Sequence, residues 1–129
     1  MTIRLRRVLL GAVLIELLPV AILSVVTAWF GPSNKASAAA FAESAARTVA
    51  VVGGLGVGLA AGWWVARPVP STAKVHGFLT GLFAGALEGA MLVVAAVPSD
   101  PVYIFAALGR IAAAAAGGAL AARGQATTT

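Results

Sequence analysis

The chain of 129 residues contains no cysteine, a single histidine, a single tyrosine and only four acidic side chains against nine Lys and Arg. Without cysteine there are no disulfides, thiolate nucleophiles, iron–sulfur clusters or cysteine zinc sites. Charged residues make up 10% of the chain, where an average soluble protein has about 25%. A chain that is 60% hydrophobic, at a mean hydropathy of +0.98, has too little polar surface to cover itself in water and is too apolar to stay disordered. It belongs in a membrane. The net charge of +5 does not point to nucleic acid, because the basic residues stand one to three at a time beside apolar segments and form no long stripe. The lipid bilayer is the expected partner.

Four apolar stretches are present, at residues 8–30, 48–66, 77–97 and 102–122. Each is long enough at about 1.5 Å per residue to cross a hydrocarbon core of about 30 Å as a helix. Transmembrane strands would need about ten alternating residues each and a closed barrel, whereas these runs are twice as long and apolar all round. The expected fold is therefore all-α: one domain over residues 1–129, an integral membrane bundle of four transmembrane helices. Gly31-Pro32-Ser33-Asn34, Pro68-Val69-Pro70-Ser71 and Pro98-Ser99-Asp100-Pro101 mark the turns. The last gap is so short that spans three and four must be antiparallel neighbours. The Ala-rich residues 37–47 are expected to extend span two as helix beyond the bilayer, and residues 125–129 form a polar tail.

Arg4, Arg6, Arg7, Arg67, Lys74 and Arg123 fall on one side of this arrangement and only Lys35 and Arg47 on the other. The excess predicts both termini in the cytoplasm. A bacterial inner (plasma) membrane is the expected location. Trp63 and Trp64 at the cytoplasmic end of span two, with Trp29 and Tyr103 at the outer ends of spans one and four, match an interfacial aromatic belt. Arg4, Arg6 and Arg7 ahead of an apolar run, with Ala36-Ser37-Ala38 behind it, have the outline of a secretory signal. The run exceeds the usual length of about 7–15 residues, so it is expected to stay attached as a span.

Three ionisable residues, Glu16, Glu88 and Arg110, fall inside the apolar stretches. Counted along the helices they lie about 12, 16 and 18 Å from the cytoplasmic boundary, all near the midplane. Burial at that depth is costly enough to need a reason. The short hairpin brings Glu88 and Arg110 within reach, and a pair there would staple the bundle. Glu16 is then either neutral or a second claimant on the Arg110 guanidinium. Two acids competing for one base can bind and release a proton or a cation. Pro19 removes the helical hydrogen bond to the Ile15 carbonyl and loosens the helix beside Glu16, as in the ion sites of broken transporter helices.

Glycine recurs at intervals of four in span two (Gly54, Gly58, Gly62) and span three (Gly77, Gly81, Gly85, Gly89). Such ridges let helix backbones touch, within one chain or between chains. On helical geometry Glu88 falls within about 40° of the span-three glycine face, so it points into helix contacts. On span four, Tyr103, Arg110 and Gly117 share a face. His76 is too far from Glu88, at about 18 Å, to share a metal with it. Its remaining reading beyond a structural one is axial ligation of a pigment or haem. Gly56-Val57-Gly58-Leu59-Ala60-Ala61 approximates a dinucleotide fingerprint but has no strand before it. No serine, histidine and acid share one depth, so no enzyme, cofactor or metal site is expected.

With an acid in the first of four spans, residues 12–19 around Glu16 resemble the corresponding part of the small multidrug resistance transporters, although Glu88 and Arg110 are additions to that pattern. The Gly-rich span two, basic turn, Gly-rich span three and Gly117-Gly118 ending resemble small uncharacterised bacterial four-span membrane proteins. Inside the apolar stretches acids exceed bases by one, which favours a small proton-linked transporter or channel in which Glu16 is the exchangeable acid, Pro19 the flexible point, and Arg110 with Glu88 sets the local potential. The other reading is a non-catalytic accessory or assembly subunit of a larger membrane complex. Self-association, or docking on another membrane protein through a glycine ridge, is expected in either case.

Overall fold

The computed structural model describes residues 3–96 and 101–126, all of them in helices or short connections. Helix α1 covers Leu5–Phe30, α2 Lys35–Thr48, α3 Gly54–Ala66, α4 Ala73–Val94 and α5 Pro101–Ala126. A π-helical turn, Val49–Gly53, joins α2 to α3 without a break, and a 3-10 turn, Pro70–Thr72, leads into α4. Four helical segments, Leu5–Phe30, Lys35–Ala66, Pro70–Val94 and Pro101–Gly124, are long and apolar enough to cross a membrane.

The helices overrun the charge-free stretches read from the sequence because basic residues at span ends continue the helix while their long side chains reach toward polar surroundings. Thus α1 begins at Leu5, and α2 is capped by the Asn34 side chain, which accepts from the Ala36 amide at 3.0 Å. The third span is the exception at its far end. It stops at Val94, and Ala96 takes a left-handed conformation, φ 50°, that closes the helix. Residues 97–100 of the last turn, and 127–129 of the polar tail, lie outside the described residues, while Gln125 and Ala126 are helical.

Helices α3 and α4 form the middle of the bundle, with α5 packed along both on one side and α1 packed on both from the other. The first and last helices therefore face each other across a diagonal. The core between them is built from small side chains: Ala12, Ile15, Ala61, Ala84 and Ala114 form one cluster and Ala66, Ala73 and Ala121 another. In a bilayer no hydrophobic driving force would act between helices, and close van der Waals contact of this kind would hold them together. Outward-facing Leu17, Val20, Val25, Phe105 and Leu108 are exposed, as lipid-facing positions would be.

The glycine ridges serve this packing. A Cβ at Gly58 would lie 3.2 Å from the Arg110 carbonyl, and one at Gly81 would lie 2.7 Å from the Ile111 Cα. At Gly62 a Cβ would strike the Ala114 carbonyl, and at Gly117 the Leu59 carbonyl. Gly77 and Gly118 face each other just as closely. The ridges of α3 and α4 are thus covered largely by α5 of the same chain, the within-chain packing being one of the two that the spacing left open. Replacing Gly81 would disturb the fold itself. Only the end of the series is open, since Gly85 meets the tip of Ile111 and nothing lies within 4 Å of a Cβ at Gly89.

Both described chain ends lie at one end of the bundle. The Arg4 amide donates to His76 Nε2 at 3.0 Å, Arg7 donates to the Trp64 carbonyl at 2.8 Å, and Ala121 packs with Ala66 and Ala73. Arg7 also stacks on the Trp64 ring, 4.3 Å from its centroid, and Arg67 lies 5.1 Å from the centroid of Trp63.

Candidate functional site

Across the diagonal, Arg110 of α5 reaches the acids of α1 and α4. Its Nη1 donates to both carboxylate oxygens of Glu16, at 3.0 and 3.2 Å, and the same nitrogen lies 3.1 Å from Glu88 Oε2. The angle to Glu88 does not make a hydrogen bond, so its Oε2 is enclosed without a donor. The three side chains are nearly sealed, with Glu16 9%, Glu88 8% and Arg110 5% exposed. The two acids share one guanidinium, and Glu16, the acid more distant in sequence, holds the hydrogen bonds. The geometry places Glu16 on the Arg110 guanidinium beside Glu88.

Local backbone makes room for this group. Gly54 lies against the arginine stem, where a Cβ would be 2.5 Å from Nε. One turn earlier the π-helical segment Val49–Gly53 presents the Ala50 carbonyl, which accepts from Arg110 Nη2 at 3.5 Å. A π turn inside a helix is rare and is concentrated at functional sites. Gly53 and Gly54 permit it, since neither side chain resists the widened backbone. Arg110 Nε has no hydrogen-bond partner. Pro19, one turn beyond Glu16, cannot donate to the Ile15 carbonyl, so α1 too is loosened beside its acid.

A cavity of about 320 Å³ leads to this cluster from the end of the bundle opposite the chain termini. Glu16, Glu88 and Arg110 form its floor, and Pro19, Met91 and Tyr103 are among its walls. Below the cluster the path is closed by the packed side chains of Ile15, Ala84 and Ala114. The polar group thus lies between this cavity and the packed small-residue core. Sequence spacing placed Tyr103 on the Arg110 face, but the Ala50 carbonyl and the role of Gly54 carried no sequence signal, because a π turn has no residue signature.

His76 lies at the other end, fully buried at the start of α4. Its Nδ1 donates to the Thr72 carbonyl at 2.9 Å while Nε2 accepts from the Arg4 amide. The ring thus caps α1, whose own N-cap residue supplies no side-chain cap. Both ring nitrogens are used within the chain, and ligation of a pigment or haem would break one of these bonds. Replacing His76 by phenylalanine is expected to cost about 1 kcal/mol by removing the ring's bonds to two part-buried backbone groups. Faster amide exchange over the first turn of α1, with partial recovery in His76→Gln, is the measurement that checks it. Among the described residues no three His, Asp or Glu side chains gather at metal-binding distance. Comparisons of the chain with family models, curated proteins and solved structures found no match.

Proposed function

We propose that this chain is a small proton-linked membrane transporter or channel that works at the Glu16–Arg110–Glu88 cluster, with both termini in the cytoplasm and the cavity opening outward. The cavity reaching both acids carries the reading. A structural staple needs no route to it, and a proton or solute site does. With both acids ionised the cluster bears one excess negative charge, and uptake of one proton or one monovalent cation neutralises it. Arg110 Nη1 is the donor over which Glu16 and Glu88 compete. Release of Glu16 would free α1 at Pro19, beside the cavity, and that helix could then tilt against α3 and α4. The small multidrug resistance transporters offer the same logic of a single acid in the first span, by resemblance alone.

The second reading, an accessory subunit in a bacterial inner membrane complex, is favoured by a different observation. Glu16 is fully satisfied by Arg110, as in a staple joining two helices that are held apart on the diagonal. Purified protein in liposomes with a trapped pH dye separates the two. The transport reading expects proton entry under an imposed voltage, or on addition of a solute from a panel of small organic compounds, and loss of that signal in Glu16→Gln. If no condition yields a Glu16-dependent signal and the chain copurifies in a defined larger complex, the accessory reading replaces it.

A further inference from the structure

A second cavity, of about 410 Å³, lies on the outer surface of the bundle between α1 and α3. Leu14 and Leu18 supply one wall, and Gly56, Val57, Ala60 and Trp64 the other. Nothing lies within 4 Å of a Cβ at Gly56, so the groove is open there. Its lining is apolar throughout, which suits a hydrocarbon occupant, but its end at Trp64 is not. The Trp64 ring carries the stacked guanidinium of Arg7, whose Nη2 is fixed on the Trp64 carbonyl and whose Nε is enclosed without a hydrogen-bond partner. A cation is thus held rigidly at the mouth of a hydrocarbon groove. The surrounding end of the bundle adds Arg4, Arg6, Arg67, Lys74 and Arg123 and, among the described residues, no acidic side chain.

Dimensions fit one leaflet. From Trp64 to Gly56 the groove runs along eight helical positions, about 12 Å, and from Arg7 to Leu18 about 16 Å. Half of a hydrocarbon core of about 30 Å is about 15 Å. Given four membrane-crossing helices, we infer that the α1–α3 groove is a binding site for one anionic phospholipid, with its headgroup phosphate at Arg7 and an acyl chain against Leu14, Leu18 and Gly56. With Nε enclosed and Nη2 on the Trp64 carbonyl, Nη1 of the stacked arginine is left to donate to phosphate without the entropy cost of ordering a free side chain. A second copy of the chain would bring another cationic end against this one, whereas an anionic lipid neutralises it. The site is separate from the Glu16 cluster and does not depend on the transport reading.

Fluorescence of Trp64 tests the inference in the full-length chain carrying Trp29→Phe and Trp63→Phe. The protein is reconstituted in phosphatidylcholine vesicles containing dibrominated phosphatidylglycerol or, separately, dibrominated phosphatidylcholine as quencher. Quenching by the anionic lipid should saturate at low mole fraction, with a preference of about fivefold, the factor one cation contributes beside an anionic headgroup. Arg7→Gln should remove the preference, and Gly56→Leu, which fills the groove, should weaken quenching by either lipid. Lys74→Gln, at the same end but off the groove, should leave the preference unchanged. Equal quenching by both lipids in the parent chain overturns the site without recourse to any variant, and so does an equal loss in Lys74→Gln, which would mean diffuse attraction. Disulfide-linked dimers of Gly56→Cys in a chain whose Trp64 escapes both lipids would put a second copy in the groove and refute the proposal.

Discussion

Arg110→Leu is expected to lower bundle stability by about 3–5 kcal/mol, the usual cost of removing one member of a buried ion pair. The loss is large because two acids are stranded at once. Glu16 loses both of its hydrogen bonds, and Glu88 loses the cation 3.1 Å from its Oε2. Titration of detergent-solubilised protein with SDS, followed by helix signal, gives the comparison with the parent chain. Glu16→Gln should cost far less, about 1 kcal/mol, since the amide oxygen can still accept from Nη1 while Glu88 keeps its charge partner. Replacing Glu16, Glu88 and Arg110 together by leucine should recover most of the Arg110→Leu loss, because no charge is then left unpaired. Should Glu16→Gln prove as damaging as Arg110→Leu, Glu16 belongs to a staple and the transport reading loses its main support.

The other large effect is expected at Gly117. A methyl group there would land on the Leu59 carbonyl and within 2.7 Å of the Trp63 amide nitrogen. Neither is the tip of a flexible side chain, so α3 and α5 must separate. Overpacking of this kind costs about 1–3 kcal/mol, and Gly117→Leu should exceed that range. The same reasoning gives the opposite sign at Gly89, where a Cβ meets nothing. Alanine at that position should gain about 0.5–1 kcal/mol from helix propensity. Unfolding midpoints of Gly117→Ala and Gly89→Ala, measured side by side, would show whether glycine in this chain acts through contact or merely as a tolerated residue.

Hydropathy reveals the number of helices because a run such as Gly77–Val94 cannot satisfy its backbone in lipid except as helix. The meeting of Glu16, Glu88 and Arg110 was also legible, since each was an expensive residue at similar depth and only one was basic. Which acid would hold the arginine was not. Sequence proximity favours Glu88, across a short hairpin, but α5 packs on α3 and α4 alike, and Nη1 reaches along the diagonal to α1. Nor could spacing decide what the glycines touch. Gly54, Gly58 and Gly62 announce a close neighbour without naming it, and the neighbour is the last helix of the chain. His76 was obscured for a related reason. Its partners are backbone groups, and an amide at Arg4 leaves no mark in side-chain patterns.

The widened turn at Val49–Gly53 has a consequence for the rotational phase of the second span. An i→i+5 bond accommodates one residue more than the regular helix, so the helix after it is turned by about 100° relative to an uninterrupted one. Ala46, on the α2 side, and Val49 and Ala50, within the turn, line the cavity above Arg110. Gly54, Gly58 and Gly62 beyond it abut α5. In a perfectly regular helix residues four apart drift by about 40° a step, so Ala46, Ala50, Gly54, Gly58 and Gly62 would wind through about 160°, and the widened turn takes back about 100° of that. The widened turn therefore keeps the cavity-lining residues of α2 and the packing glycines of α3 nearer one side of the second span, beside the carbonyl that Arg110 holds.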